Sequence, residues 1–271
     1  MAWLAARQVP KALAAGLDVV HRPPPGLVVL IYHRVGRRTA IEVDLSLARF
    51  TEQVAFLAAH PGLVSLADGM ARLRDPDAPR GPMVAVTFDD GTADVTDLAV
   101  PVLVEHGVPA TLYVATEFVE HGREFPGGGE PTSWSALGDA VSTGIVTIGS
   151  HTHSHALLDR LDPGSVEVEL DRSIDLVTDR VGVRPLDFAY PKAVPGSPAA
   201  AAAVRARVRS AALAGTRPHA YAATDPYRLA RSPIQVSDGR RWFRHKVAGG
   251  LAFEDTMRTA VNRVRHARIS S

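Results

Sequence analysis

Three short segments of this 271-residue chain concentrate side chains that can do chemistry, and each follows an apolar run. In Thr87-Phe88-Asp89-Asp90-Gly91 two carboxylates stand side by side. Such neighbours repel unless a cation neutralises one, and a cation bound by either would lower the pKa of the other and leave it free as a base. The same residues also read as a solvated Asp-Gly turn capping a helix that begins near Thr92. In Ser150-His151-Thr152-His153-Ser154-His155, the spacing of His151 and His155 predicts one helical turn with both imidazoles on one side, able to share a metal. His153 then points elsewhere. A surface histidine tract is the plainer reading, but Ile-Val-Thr-Ile-Gly before it predicts the end of a buried strand.

Asp90, His151 and His155 together make a two-histidine, one-carboxylate set with positions left open for water and substrate. No Glu follows the first histidine, which excludes the H-E-x-x-H protease arrangement, and Asp89 stands in as general base. The third segment is Phe188-Ala189-Tyr190-Pro191-Lys192. Tyr190 at a strand end presents its backbone N–H to a developing oxyanion, or else forms an aromatic-proline packing corner. His33, after a first strand, is either a proton donor at the mouth of the fold or a hydrogen-bonded histidine near the core.

These residues need rigid elements to hold them. Strands are expected at Leu27–Tyr32, Met83–Phe88, Ala110–Ala115, Ile145–Gly149 and Asp187–Tyr190, with a shorter one at Ser210–Ala214. Amphipathic helices fit between them at Leu45–Ala59, Thr92–His106, Trp134–Ser142 and Ser165–Val181; in the last, Val166, Leu170, Ile174, Val177 and Val181 form one face. The alternation predicts an α/β barrel of parallel strands in a single domain, with chemistry at the strand ends. The stretches His121–Ser133 and Lys192–Pro198 read equally as loops over the site or as surface insertions.

Composition narrows the function classes. The chain is 46% hydrophobic and 22% charged, an ordinary globular balance. Its 30 Lys+Arg against 29 Asp+Glu leave a net charge of +1, so bulk attraction to nucleic acid is not expected. Cysteine is absent, which excludes disulfides, zinc-thiolate sites and a thiol nucleophile. Only Lys11, Lys192 and Lys246 are lysines. Arg7 and Lys11 interrupt the apolar N-terminus, and no run is long enough for a membrane span, so a cytoplasmic protein is expected. Residues 1–26 are read as an N-terminal helix and lead-in, 27–240 as the catalytic domain and 241–271 as a basic helical extension.

Thr-Phe-Asp-Asp-Gly at 87–91 and His-Thr-x-Ser-His at 151–155 resemble the first two signature motifs of the polysaccharide deacetylases. This is carbohydrate esterase family 4, which shares the NodB-homology domain. The resemblance runs from about Val28 to Ile234, and Trp134 sits in what looks like the helix leading into the second motif. It implies a distorted (β/α)7-type barrel that hydrolyses an acetyl group, usually N-linked, from a sugar. Asp89 would be the base, and Asp90, His151 and His155 the ligands of a divalent metal, usually zinc.

The third motif departs from the common R-x-P-[YF] and is similar to the F-A-Y-P-[YF]-G of the circularly permuted poly-N-acetylglucosamine deacetylases, with Lys192 and Ala193 in its last two places. That branch takes its catalytic acid from an N-terminal strand ending Tyr-His. Leu30-Ile31-Tyr32-His33 resembles it, so His33 is the expected acid in preference to His245. Tyr190 is expected at the oxyanion, and Pro191, Lys192 and Trp134 at the substrate.

From Arg228 to Ser271, ten basic and three acidic residues give a local net charge of +7. This reads as a phosphate-bearing substrate or membrane-face contact, or as a solvated arginine-rich helix. The alternatives to deacetylation are a cyclic-amide hydrolase on the same fold and a non-catalytic glycan-binding relative. The metal-ligand set, complete here, argues against the second.

Overall fold

The structure, a computed structural model, describes residues 11–16, 18 and 23–252. The strands are β1 (Leu27–Tyr32), β2 (Arg34–Val35), β3 (Asp44–Leu45), β4 (Met83–Phe88), β5 (Ala110–Val114), β6 (Val146–Ser150), β7 (Asp187–Ala189), β8 (Ser210–Ala212) and β9 (Ser232–Pro233). The helices are α1 (Leu47–Ala58), α2 (Leu66–Arg74), α3 (Val100–His106), α4 (Thr116–His121), α5 (Trp134–Ser142), α6 (Pro163–Val181), α7 (Pro198–Arg207) and α8 (Gly239–Val247). Every position of β1, β4 and β5 is buried. Strands covered on both faces read as continuous apolar runs and pair in parallel, and these do so.

The main sheet has seven parallel strands in the order β8-β7-β6-β5-β4-β1-β9, and β2 pairs β3 separately. It curls toward closure. Leu213 and Gly215, just past β8, donate to the carbonyls of Leu229 and Arg231 at 2.7 and 2.8 Å. The same segment continues into β9, where Ile234 donates to Ile31 of β1 at 2.9 Å. One stretch of chain therefore bonds to both edges of the sheet. The architecture is a distorted (β/α)7 barrel in a single α/β domain.

Strand alternation sorts the side chains into two cores. Val28, Leu30, Tyr32, Val84, Val86 and Phe88 face outward and pack under helices α1, α3 and α5. Leu27, Val29, Met83, Ala85, Tyr113, Ala189 and Ala212 face inward, where α2 closes the N-terminal end of β1 and β4 through Leu66, Met70 and Leu73. Continuing the inward series past the strand ends puts His33 after Ile31 and Asp89 after Thr87 at the opposite mouth.

Three expectations need correction. The predicted helix 92–106 is π-helical over Val95–Ala99 and α-helical only from Val100. Pro101 lacks an N–H and its ring crowds the carbonyl four residues back, so a widened turn precedes it. The short β9 carries Pro233 and escaped the sequence reading, as did α2 and α7. The boundary at 240 falls inside α8, whose Trp242, Phe243 and Val247 are buried. Of the N-terminal helix, 11–16 and 18 are helical, and the remainder of the basic extension beyond 252 lies outside the described residues.

Asp238, at the start of α8, accepts from two buried lysines, Lys11 and Lys246. Lys246 also donates to the carbonyl of Pro233 at 2.7 Å, which fixes α8 beneath the barrel closure. Burial raises the Asp238 pKa, but the Lys246 and Lys11 ammoniums outweigh it and hold the carboxyl below the ordinary value. Asp238→Asn removes the carboxylate that two buried cations share and is expected to lose about 3–5 kcal/mol in urea unfolding. Because the folded-state pKa is depressed, this contribution is full above the ordinary carboxylate range. It fades as pH falls through the folded value, so wild type should lose stability in acid while Asp238→Asn shows a flatter profile.

Candidate active site

The inward series and the C-terminal strand ends converge on an open cleft of about 290 Å³, lined by His33, Asp89, Asp90, His151, His155 and Lys192 and floored by small apolar residues. Asp89 and Asp90 follow β4, His151 follows β6 and His33 follows β1. Parallel strands deliver all of these to the same end. The Asp89 N–H donates to Tyr32 of β1 at 3.0 Å, and the His151 N–H to Val114 of β5 at 3.0 Å, so each residue is held by the strand beside its own.

Asp90, His151 and His155 each offer an atom within 4.8 Å of the others'. Nε2 of His155 lies 3.5 Å and Nε2 of His151 3.7 Å from Oδ1 of Asp90. The Nδ1 of His151 sits 2.8 Å from the carbonyl of Ala189. A carbonyl only accepts, so Nδ1 carries the proton and the Nε2 lone pair faces the cleft, the tautomer a metal ligand needs. Burial first, then the neighbouring His151, hold the His155 pKa at about 4 against the pull of Asp90. His155 is therefore neutral near pH 7, with a lone pair to offer.

The two imidazoles do not meet on a helical turn, as their spacing predicted. Residues 151–157 are irregular, and Thr152 and His155 adopt left-handed backbone with φ of 63° and 62°. The chain is fixed by Glu169 of α6, which accepts from the N–H groups of His153 and Ser154 at 2.9 and 2.8 Å. His153 turns away, its Nδ1 2.9 Å from Thr116 Oγ1. Asp90 is also left-handed, at φ 75°, which breaks the strand alternation and separates its carboxylate from that of Asp89.

Asp89 has a partner that sequence reasoning missed. Arg231 is fully buried and grips it bidentately, Nη1 donating to Oδ1 at 2.5 Å and Nη2 to Oδ2 at 2.7 Å. The guanidinium also reaches Thr87 Oγ1 and the carbonyl of Leu213 at 3.2 Å each, and lies 5.0 Å over the Tyr113 ring. Burial alone would raise the Asp89 pKa; Arg231, and then His151 and His33, outweigh it and bring the carboxyl down to about 2. The signal was present as one arginine inside the apolar run Leu229-Ala230-Arg231-Ser232-Pro233-Ile234.

His33 lines the cleft with its Nδ1 buried and without a hydrogen-bond partner among the described residues. His245 lies on α8 beside Trp242, outside the cleft lining. The strand alternation turns Tyr190 outward into a cluster with Phe188 and Ala200, and its backbone N–H donates to Ala212 at 3.0 Å. That bond belongs to the sheet ladder and takes up the donor expected at the oxyanion. Pro191 is buried, whereas Lys192 and Ala193 line the mouth.

Trp134 donates its indole N–H to Glu120 at 2.8 Å and packs on the outer core, away from the cleft. The Gly127-Gly128-Gly129 loop also lies elsewhere: Arg34 donates to the carbonyls of Gly127 and Pro126, and a Cβ at Gly129 would meet that guanidinium at 2.5 Å. Of the two irregular stretches, the one beginning at Lys192 reaches the site.

The family model for polysaccharide deacetylases matches residues 77–211, which span β4 to β8 and every proposed metal ligand. The chain carries a polysaccharide deacetylase domain. Deacetylation of a carbohydrate is the chemistry of that family. No curated protein matches the chain in sequence. Among solved structures, the deacetylase fold is shared with IcaB from Ammonifex degensii at 24% identity and a TM-score of 0.70, covering 84% of this chain and 98% of that one. It is shared with the Streptococcus pyogenes deacetylase PplD, in complex with acetate, at 19% and 0.73, covering 83% and 99%. BC0361, a polysaccharide deacetylase from Bacillus cereus, gives 21% and 0.69, covering 83% of this chain and 69% of that one.

Arg231→Met is expected to leave Asp89 buried without a counter-charge, so that burial alone raises its pKa above the ordinary carboxylate value. Acetate release should fall at least about 100-fold near neutrality, with the acidic limb of the pH profile displaced to higher pH. An unmoved limb would show that Arg231 does not set the charge of Asp89.

Proposed function

We propose that this chain removes the acetyl group from an N-acetylated amino sugar, with a divalent metal, Asp89 as general base and His33 as general acid. The observation that carries the reading is the pair of adjacent carboxylates with separate partners. Asp89 is held ionised by a buried arginine, while Asp90 is left facing two histidine lone pairs across an open cleft.

The residues fit a metal. Asp90 Oδ1 and the Nε2 atoms of His151 and His155 would hold it, and a donor set of two imidazoles and one carboxylate suits zinc, with no thiolate required. A divalent ion there supplies the Lewis acidity that acidifies a water and polarises the acetyl carbonyl. Asp89 takes the proton from the attacking water. Arg231 keeps both carboxylate oxygens oriented, so that none of the geometry has to be found during the reaction. As the carbon–nitrogen bond breaks, His33 donates a proton to the departing amine, and acetate and the free amino sugar leave. At about 290 Å³ the cleft stands near the lower end of small-ligand pockets, roughly 300–1,000 Å³. That is room for one sugar unit and its substituents.

Metal-reconstituted protein is expected to release acetate from small N-acetylglucosamine glycosides. Asp89→Asn and His33→Ala should each slow release by about 10²–10⁴-fold with metal content retained. Asp90→Ala is expected to lose both activity and metal, measured by equilibrium dialysis and elemental analysis. Full metal occupancy in Asp90→Ala would overturn the ligand set, and undiminished release by His33→Ala would remove His33 as the acid.

A further inference from the structure

The chain meets the cleft with one cation that the chemistry above does not use. Lys192 is exposed at the mouth, and among the described residues its ammonium has no carboxylate or hydrogen-bond partner. The other two lysines of the sequence are buried on Asp238, and the remaining 27 basic residues are arginines. A compact ammonium on a flexible stem answers a single anionic oxygen, whereas arginine's planar fork is suited to bidentate pairing.

The backbone holds Lys192 in place. It follows β7 directly after Tyr190-Pro191, with φ 53° and ψ 17°, and Ala193 is also left-handed at φ 55°. Hydrogen bonds from the Ala193 N–H to Tyr190 at 2.9 Å and from the Val194 N–H to Pro191 at 3.2 Å keep this turn closed over the cleft.

The other charges in the cleft are already matched. Arg231 cancels Asp89, and Asp90 faces the metal-binding histidines. With a divalent ion on Asp90, the site carries net positive charge even before Lys192 is counted, and Lys192 adds to it at the rim. Such a cleft favours an anionic ligand both on approach and once bound.

Resting on the deacetylase reading, we infer that Lys192 selects amino sugars bearing an anionic group on a ring carbon next to the one that carries the acetamide. On an amino sugar, substituents on the carbons adjacent to the acetamide-bearing one are the ring groups closest to the acetyl, and Lys192 lines the same cleft as the residues that would receive it. A glycosyl phosphate on one side and an ether-linked carboxylate on the other present the same chemistry, an anionic oxygen within reach of a lysine.

The test uses full-length, zinc-reconstituted protein and three substrates: N-acetylglucosamine 1-phosphate, N-acetylmuramic acid and neutral methyl N-acetylglucosaminide. The reading is the ratio of kcat/KM for each charged substrate to that for the neutral one. Wild type should favour a charged substrate by about tenfold, the worth of one charge-assisted hydrogen bond. Lys192→Gln should abolish most of that ratio, Lys192→Arg should restore much of it, and salt should erode it. Which charged substrate leads distinguishes phosphate from carboxylate. A second arm measures binding of glucosamine 1-phosphate against glucosamine by calorimetry, where Lys192→Gln should weaken only the phosphorylated ligand.

Equal ratios in wild type and Lys192→Gln would overturn the role of Lys192 and leave deacetylation standing. Absence of acetate release from all three substrates would count against the deacetylase reading, and the calorimetric arm would then decide anion binding at Lys192 by itself.

Discussion

The buried contact between Arg231 and Asp89 is the constraint around which the rest of the barrel is arranged. Taking a guanidinium and a carboxylate out of water costs several kcal/mol per ion, and their mutual attraction recovers this only with near-ideal geometry. Here both nitrogens of the fork reach both oxygens, Thr87 and the Leu213 carbonyl accept further protons, and Tyr113 lies against the guanidinium face. A well-packed apolar pair would stabilise a barrel interior at least as well. The ion pair is therefore better explained by what it does to Asp89 than by what it adds to the fold. Its placement also ties the site to the topology, because Arg231 belongs to the segment that bonds to β8 at one end and β1 at the other. The segment that nearly completes the sheet is the one that orients the Asp89 carboxylate.

A second organising feature is where the backbone is strained. Of the eight non-glycine residues with positive φ among the described residues, Asp90, Thr152, His155, Lys192 and Ala193 lie at or directly beside the cleft. Left-handed backbone costs a residue with a side chain roughly 1–2 kcal/mol, and it persists only where surrounding bonds over-determine it. Around 152–155 the Glu169 carboxylate does this, and beyond Tyr190 the closed turn does. Strain concentrated in this way is what sets side chains from irregular segments onto one point, which strand alternation alone cannot do.

This explains which parts of the molecule were legible in the sequence. β1 and β4 were readable to the residue, because a strand buried on both faces leaves an unbroken apolar run between polar punctuation. α5 and α6 were readable from their apolar periodicity. The clustering of Asp90, His151 and His155 was legible by residue type, but the reason offered for it was wrong: the spacing of four suggested a helix, and the structure uses two left-handed residues instead. Tyr190 shows the opposite failure. Its place near a strand end and the packing-corner alternative were right, but its N–H is taken by Ala212 across the sheet, a long-range pairing with no local signature. Arg231 and β9 stayed hidden because closure of a barrel is a long-range event, and a two-residue strand containing proline has almost no local signature. Trp134 was placed through motif likeness alone, and its indole answers Glu120 rather than the cleft.

The electrostatic logic follows from two residues adjacent in sequence. Two neighbouring carboxylates in a half-buried site cannot both stay ionised without counter-charge. The chain gives one of them an internal cation and turns the other, through a single left-handed residue, toward the Nε2 atoms of two imidazoles. An internal cation fixes Asp89 permanently. Asp90 has no such internal cation among the described residues, and the two ring nitrogens beside it complete a donor set that a divalent metal would fit. The asymmetry between the two carboxylates is thus built into the fold, one clamped by a buried guanidinium and the other turned to a pair of imidazoles, and it is on this difference that the proposed division into base and ligand rests.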